Sequence, residues 1–140
     1  VIRTSRTAVA LLLAVSGAAL LGGCSTDSSK PVTDYAGEPK GVDAPASSAG
    51  GASWAAWLEQ GRQFGIVLYG SSNCPPTVQS IQVTAGNQLQ ATLAPVSGGV
   101  CTQDYVPHTT VFATPARLSK TSGVTIGLSD ATVTLAGLRG

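Results

Sequence analysis

The segment Gln88-Leu89-Gln90-Ala91-Thr92-Leu93 alternates polar and apolar residues in strict period two, the mark of a half-buried β-strand. Its neighbours repeat the pattern. Ile81 and Val83 alternate with Ser80, Gln82 and Thr84, and Gly86-Asn87 supplies the turn between these two strands. Val124, Ile126 and Leu128 alternate with Thr125, Gly127 and Ser129, after which Ser129-Asp130 turns the chain into Val133 and Leu135. Phe64 to Tyr69 is a continuous apolar run with β-branched members and reads as a central strand. Thr109 to Thr114 is rich in Thr, Val and Phe and closes on Pro115. Breakers fall at Gly70, Pro75-Pro76, Gly86, Ser97-Gly98-Gly99, Pro107, Pro115 and Gly123. Short strands at this spacing predict an all-β domain over residues 53–140, a small β-sandwich or open barrel of about six to seven strands. A domain of about 90 residues holds one modest core, and a covalent staple helps at that size.

One stretch is ambiguous. Trp54, Trp57 and Leu58 have i, i+3, i+4 spacing and fit a one-turn helix. Alternatively, Ala55 to Leu58 pairs with Gln63 to Tyr69 through a Glu59-Gln60-Gly61-Arg62 turn with Gly61 left-handed; the hairpin is favoured. In either case the two Trp read as core or lid residues rather than a ligand platform.

The first 23 residues have the layout of a secretory signal. Arg3 and Arg6 form a basic start without acidic residues, and Ala8 to Leu21 is apolar apart from Ser16 and Gly17. That run is shorter than the ~20 residues needed to span a bilayer, so a permanent transmembrane helix is disfavoured. Small residues Gly22 and Gly23 then lead to Cys24. From Cys24 to about residue 52 the chain is rich in Ser, Pro, Gly, Ala and Asp, and Val32, Tyr35 and Val42 are its only large hydrophobes. Such a segment buries too little apolar surface to offset its ordering entropy, and it reads as a disordered tether with a reach of roughly 30 Å.

Leu21-Gly22-Gly23-Cys24 resembles a bacterial lipobox, which has an aliphatic residue at −3, small residues at −2 and −1, and an obligatory cysteine at +1. The resemblance implies that Cys24 becomes an acylated, palmitate-bearing N-terminus anchored in the lipid bilayer, since two or three acyl chains hold stably where one binds marginally. The chain has three cysteines. With Cys24 lipidated, Cys74 and Cys101 remain as an even pair in an oxidising compartment, and a disulfide is the economical reading. A redox-active pair usually has Cys-x-x-Cys spacing, and a metal site needs partners beyond two thiolates.

Three further stretches carry a family resemblance: Trp57-Leu58-x-x-Gly61, Gly70-Ser71-Ser72-Asn73-Cys74-Pro75, and Cys101-Thr102-Gln103-Asp104-Tyr105-x-Pro107 with Thr109-Thr110. From Trp57 to about Leu128 the chain resembles small actinobacterial lipoproteins of unknown function. That resemblance implies one disulfide-linked β domain held at the cell envelope, and it carries no catalytic residues across.

The chemistry-bearing residues are few. Ser71 and Ser72 follow a strand, and with His108 and Asp104 they compose a conceivable Ser-His-Asp set, but the Gly-x-Ser-x-Gly elbow is missing. The bland alternative has Ser71 and Ser72 capping a turn into the disulfide and Asp104 binding backbone amides. Asp104, Tyr105 and His108 form the candidate contact loop, since Tyr105-Val106-Pro107-His108 mixes an aromatic with a rigid turn; a packed corner is the stronger reading of the same residues. Net charge is +1 with a single His, which gives no nucleic-acid-binding face, no metal site and no cofactor. Arg62, Arg117, Lys120 and Arg139 nearly balance Glu59, Asp104 and Asp130, so the domain offers no electrostatic preference for cell-wall polyanions. The expectation is therefore a non-catalytic binding or structural module, lipid-anchored on the extracytoplasmic face, meeting an envelope protein or wall ligand. A small envelope hydrolase using Ser71 or Ser72 with His108 is the alternative.

Overall fold

Period-two patterning becomes two facing sheets. The computed structural model of the chain describes residues 28–96 and 99–140; the expected signal segment, Cys24 and the Ser97-Gly98 breaker lie outside the described residues. In chain order the strands are β1 (Ser28–Ser29), β2 (Thr33–Ala36), β3 (Trp54–Leu58), β4 (Gln63–Gly70), β5 (Val78–Ala85), β6 (Gln88–Leu93), β7 (Val106–Ala113), β8 (Val124–Gly127) and β9 (Thr132–Leu135). One sheet has the order β1-β5-β6-β8-β9 and the other β2-β7-β4-β3. Neighbours run antiparallel except β6 and β8, which are parallel. The protein is a small β-sandwich.

Cross-strand partners share a face. Phe64 opposite Phe112, Ile66 opposite Thr110 and Leu68 opposite His108 therefore point the same way, toward the other sheet. Phe64, Ile66, Leu68 and Phe112 meet Val78, Ile81, Leu89, Ala91, Val124, Ile126, Val133 and Leu135 in one core. The Phe64 and Phe112 rings stack at 5.9 Å, and Trp57 stands edge-on to Phe64 at 6.2 Å. Trp57 Nε1 donates to the Ala136 carbonyl at 2.6 Å, which satisfies its polar edge beside an apolar body.

Residues 28–52 depart from the expected tether. They supply β1 at one sheet edge, β2 at the other, and a cover for the outer face of β4. The Gly37 amide donates to the Pro107 carbonyl at 2.9 Å, and Thr109 Oγ1 donates to the Gly37 carbonyl at 2.6 Å. Buried Pro39 lies over Gly65, where a Cβ would stand 3.7 Å from Pro39 Cγ and 3.1 Å from Thr109 Cγ2. Val42 and Tyr69 pack against the cluster of Trp54, Ala56 and Val67. The physical reason is that β4 is apolar on both faces and the opposing sheet covers only one. Residues 53–140 alone hold seven strands, as expected; β1 and β2 make nine among the described residues.

Four crossings join the sheets, and each end of the sandwich has its own tie. At one end the β4–β5 and β6–β7 crossings are linked by the Cys74–Cys101 disulfide, with Cα atoms 5.4 Å apart. At the other end Asn87, in the β5–β6 turn, grips the β7–β8 crossing: Nδ2 donates to the Ser119 carbonyl at 2.9 Å, and Oδ1 accepts from the Ser119 amide at 2.8 Å.

β3 and β4 form the favoured hairpin, with Trp54 opposite Val67 and Leu58 opposite Gln63. Its loop is left-handed at three successive residues, Glu59 (φ 49°), Gln60 (φ 56°) and Gly61 (φ 81°). Gly61 takes that conformation freely, whereas Glu59 and Gln60 each carry a cost of roughly 1–2 kcal/mol. Gln60→Gly is accordingly expected to stabilise the protein by about 0.5–1 kcal/mol after the added chain entropy of glycine, a rise of a few degrees in Tm by calorimetry.

Candidate functional site

The expected contact loop divides. His108 is not in a loop: it sits within β7, opposite Leu68 and Ala36, and is 8% exposed. Pro107 does not break the strand, because it stands at its second position opposite Tyr69 and still offers its carbonyl to Gly37. His108 Nε2 lies 2.9 Å from Asp34 Oδ1, a partner supplied by β2. That pairing was invisible while residues 24–52 read as a tether.

Ser71, Ser72 and Asp104 gather instead around the disulfide. Asn73 Oδ1 accepts from the Thr102 amide at 2.7 Å and from Ser71 Oγ at 2.8 Å, and Asn73 Nδ2 donates to the Val100 carbonyl at 3.0 Å. Asp104 Oδ1 accepts from the Ser72 amide at 3.0 Å and from Thr102 Oγ1. Ser71 Oγ and Thr102 Oγ1 share a hydrogen bond of 2.7 Å. The structure thus joins Ser71 and Ser72 to Asn73, Thr102 and Asp104, while His108 is joined to Asp34. This exposed network braces the two crossings that the disulfide ties.

Hydrogen bonding from Ser72, then Thr102, holds the Asp104 carboxyl down at about 2. The carboxylate's stabilising contribution is full above the ordinary aspartate value of 3.8 and is lost as pH falls toward about 2. Asp104→Asn is therefore expected to flatten the fall of Tm between about pH 4 and pH 2, read from thermal melts across that range.

Tyr105 is exposed and stacks on Tyr69 with ring centroids 5.7 Å apart. Its hydroxyl donates to the Gly51 carbonyl at 3.0 Å. Gly51 has φ +83°, and a Cβ there would come within 2.4 Å of the Tyr105 ring. Tyr69 donates to Glu38 Oε1 at 2.5 Å and accepts from Trp54 Nε1 at 3.3 Å. Burial, then the Glu38 hydrogen bond, raises the Tyr69 hydroxyl above its ordinary value. Around this pair a cavity of about 430 Å³ opens between the sheet ends, lined by Leu68, Pro76, Leu93 and Leu128 with Asp130. Tyr69 and Gly51 are the members sequence reading missed; the period-two place of Tyr69 on the outward face of β4 was the available signal.

A larger groove of about 700 Å³ lies on the outer face of the β2-β7-β4-β3 sheet. Tyr35, Leu58, Val111 and Pro39 give it an apolar floor, and Lys40, Glu38 and Glu59 add charge. It can receive a partly apolar group. Among the described residues no group of three or more His, Cys, Asp or Glu is placed to hold a metal, and no helix is long and apolar enough to cross a membrane. Comparison with protein-family models, curated proteins and solved structures finds no match to this chain.

Proposed function

We propose that the protein is a lipoprotein of the cell envelope, anchored through Cys24 on the extracytoplasmic face, whose β-sandwich serves as a non-catalytic binding or structural module. The observation that carries this reading is the cysteine arithmetic. Cys74 and Cys101 pair with each other, which leaves the cysteine of Leu21-Gly22-Gly23-Cys24 as the odd one, directly behind an apolar leader. A structural disulfide belongs to an oxidising compartment, and a thiol after small residues is the nucleophile that lipid attachment requires. The non-catalytic part is supported by the engagement of Ser71 and Ser72 with Thr102 and Asn73, and of His108 with Asp34. Two surfaces open to contact are the groove beside Tyr35 and the Tyr69–Tyr105 end, which suit a protein segment or wall ligand.

Intact mass of the protein recovered from a cell expressing the full gene tests the anchor. The expected species begins at Cys24 and carries a diacylglyceryl group, and Cys24→Ala releases the protein from the membrane fraction. A free thiol at Cys24 in the membrane-bound protein refutes the reading.

A further inference from the structure

The four cations of residues 53–140 look dispersed in sequence, yet the topology gathers them at one end. Arg62 follows the β3–β4 loop, and its carbonyl accepts from the Thr114 amide at 2.9 Å. Arg117 and Lys120 lie in the β7–β8 crossing that Asn87 grips at the same end. The Leu138 amide donates to the Lys120 carbonyl at 2.7 Å, which brings Arg139 alongside. A Cβ on Gly61 would meet both Leu138 and Lys120, at 2.6 and 3.0 Å. Lys120 and Arg139 are exposed, and the Arg62 side chain is 74% exposed even while pairing with Glu59 at 2.8 Å. Glu59 is the acid of residues 53–140 at this end; Asp104 and Asp130 stand at the opposite end, beside the disulfide and between β8 and β9. Residues 53–140, near neutrality in sum, are therefore polar along their length; of the leading segment, Glu38 and Lys40 line the groove that Glu59 also borders.

The chain enters the fold at the basic end. β1 runs antiparallel to β5 with Ser28 opposite Gln82 and Ser29 opposite Ile81, so β1 runs away from the Gly86–Asn87 turn and Ser28 is its residue nearer that turn. Gln82 is three residues from Ala85, about 10 Å along the strand. The four residues from Cys24 to Ser28 span at most about 14 Å. A link of that length is long enough to pass the end of the strand by about 4 Å, so an anchor at Cys24 can bring this end to the headgroups. Charges are felt over about 8 Å at physiological salt, so a 30 Å tether can hold the domain out of range, whereas this short link allows the basic end to come within range.

We propose that the basic end of the sandwich, built from Arg62, Lys120 and Arg139 with Arg117 beside them, docks on anionic phospholipid headgroups. The proposal deepens the envelope reading and rests on the membrane attachment of residues 1–24. The test reconstitutes the full chain into vesicles of phosphatidylcholine alone or mixed with phosphatidylglycerol and follows amide hydrogen exchange. Exchange at residues 86–87 and 117–123 is expected to slow several-fold on the phosphatidylglycerol vesicles only, and to recover at high salt. The triple variant Arg62→Ala, Lys120→Ala, Arg139→Ala is expected to lose the effect, at about fivefold in the docking equilibrium per cation. Arg62→Lys with Arg139→Lys is expected to retain it. Equal exchange on both vesicles, or a triple variant that behaves as wild type, overturns the proposal. So does protection by soluble polyphosphate without protection by phosphatidylglycerol. The mass of Cys24 separates the two readings: an unmodified Cys24 with lipid-dependent protection removes the lipoprotein but keeps the docking end, and acylated Cys24 without protection does the reverse.

Discussion

A chain starting at residue 53, the boundary that composition suggests, is expected not to fold, whereas one starting at residue 28 is expected to fold cooperatively. The shorter chain loses β2 from the edge of β7 and the cover over Trp54, Val67 and Tyr69. Trp54 is 3% exposed, Val67 0% and Val111 3%. Re-exposing side chains of this size costs roughly 1.5–3 kcal/mol each, so three of them reach about 5 kcal/mol or more. A domain of this size has about 5–15 kcal/mol in total, and the shorter chain also leaves buried His108 without Asp34 and the β7 edge unpaired. The measurement is near-ultraviolet circular dichroism with size-exclusion chromatography. A sharp Trp signal and an unchanged melt for the chain from residue 53 refute the structural role of residues 28–52.

Removing the disulfide has the next largest effect. The double variant Cys74→Ser, Cys101→Ser frees a loop of about 28 residues, and the unfolded chain regains entropy equivalent to roughly 3–4 kcal/mol in the chain-entropy model. That corresponds to a fall in Tm of about 15 °C for a domain of this length. The loss is expected to be local before it is global, because the two crossings it joins keep the hydrogen bonds of Asn73, Thr102 and Asp104. Hydrogen exchange is expected to quicken first at residues 71–76 and 100–105. A variant with unchanged Tm and exchange shows that the network alone fixes this end.

Much of this architecture was legible, and what was missed has a shared cause. β5, β6, β8 and β9 follow from alternation, because each has one face on the core and one in water. The β3–β4 hairpin follows from the left-handed demand at Gly61. β2 escaped because Thr33-Asp34-Tyr35-Ala36 is a short edge strand, exposed throughout, whose pairing rests on main-chain bonds that leave no trace in hydropathy. The signal that something must lie over β4 was nevertheless present. Phe64 to Tyr69 is apolar at every position, and a strand of that kind needs two covers. His108 was misplaced for a related reason: Pro107 reads as a breaker, although Val106, His108, Thr110 and Phe112 keep strand spacing across it. The opposition of charge between the two ends could not be read at all, since it arises from which loops the topology brings together.

The strands nearest the N-terminus find their partners late. β1 pairs with β5, and β2 pairs with β7, which lies far downstream. As the chain is made from its N-terminus, Ser28 cannot pair until Gln82 is present, nor Thr33 until Val111 is present. The leading strands must therefore wait unpaired while the rest of the sandwich is completed. β2 closes the edge of β7 only after β7 itself exists, so the segment that comes first in sequence is among the last to dock.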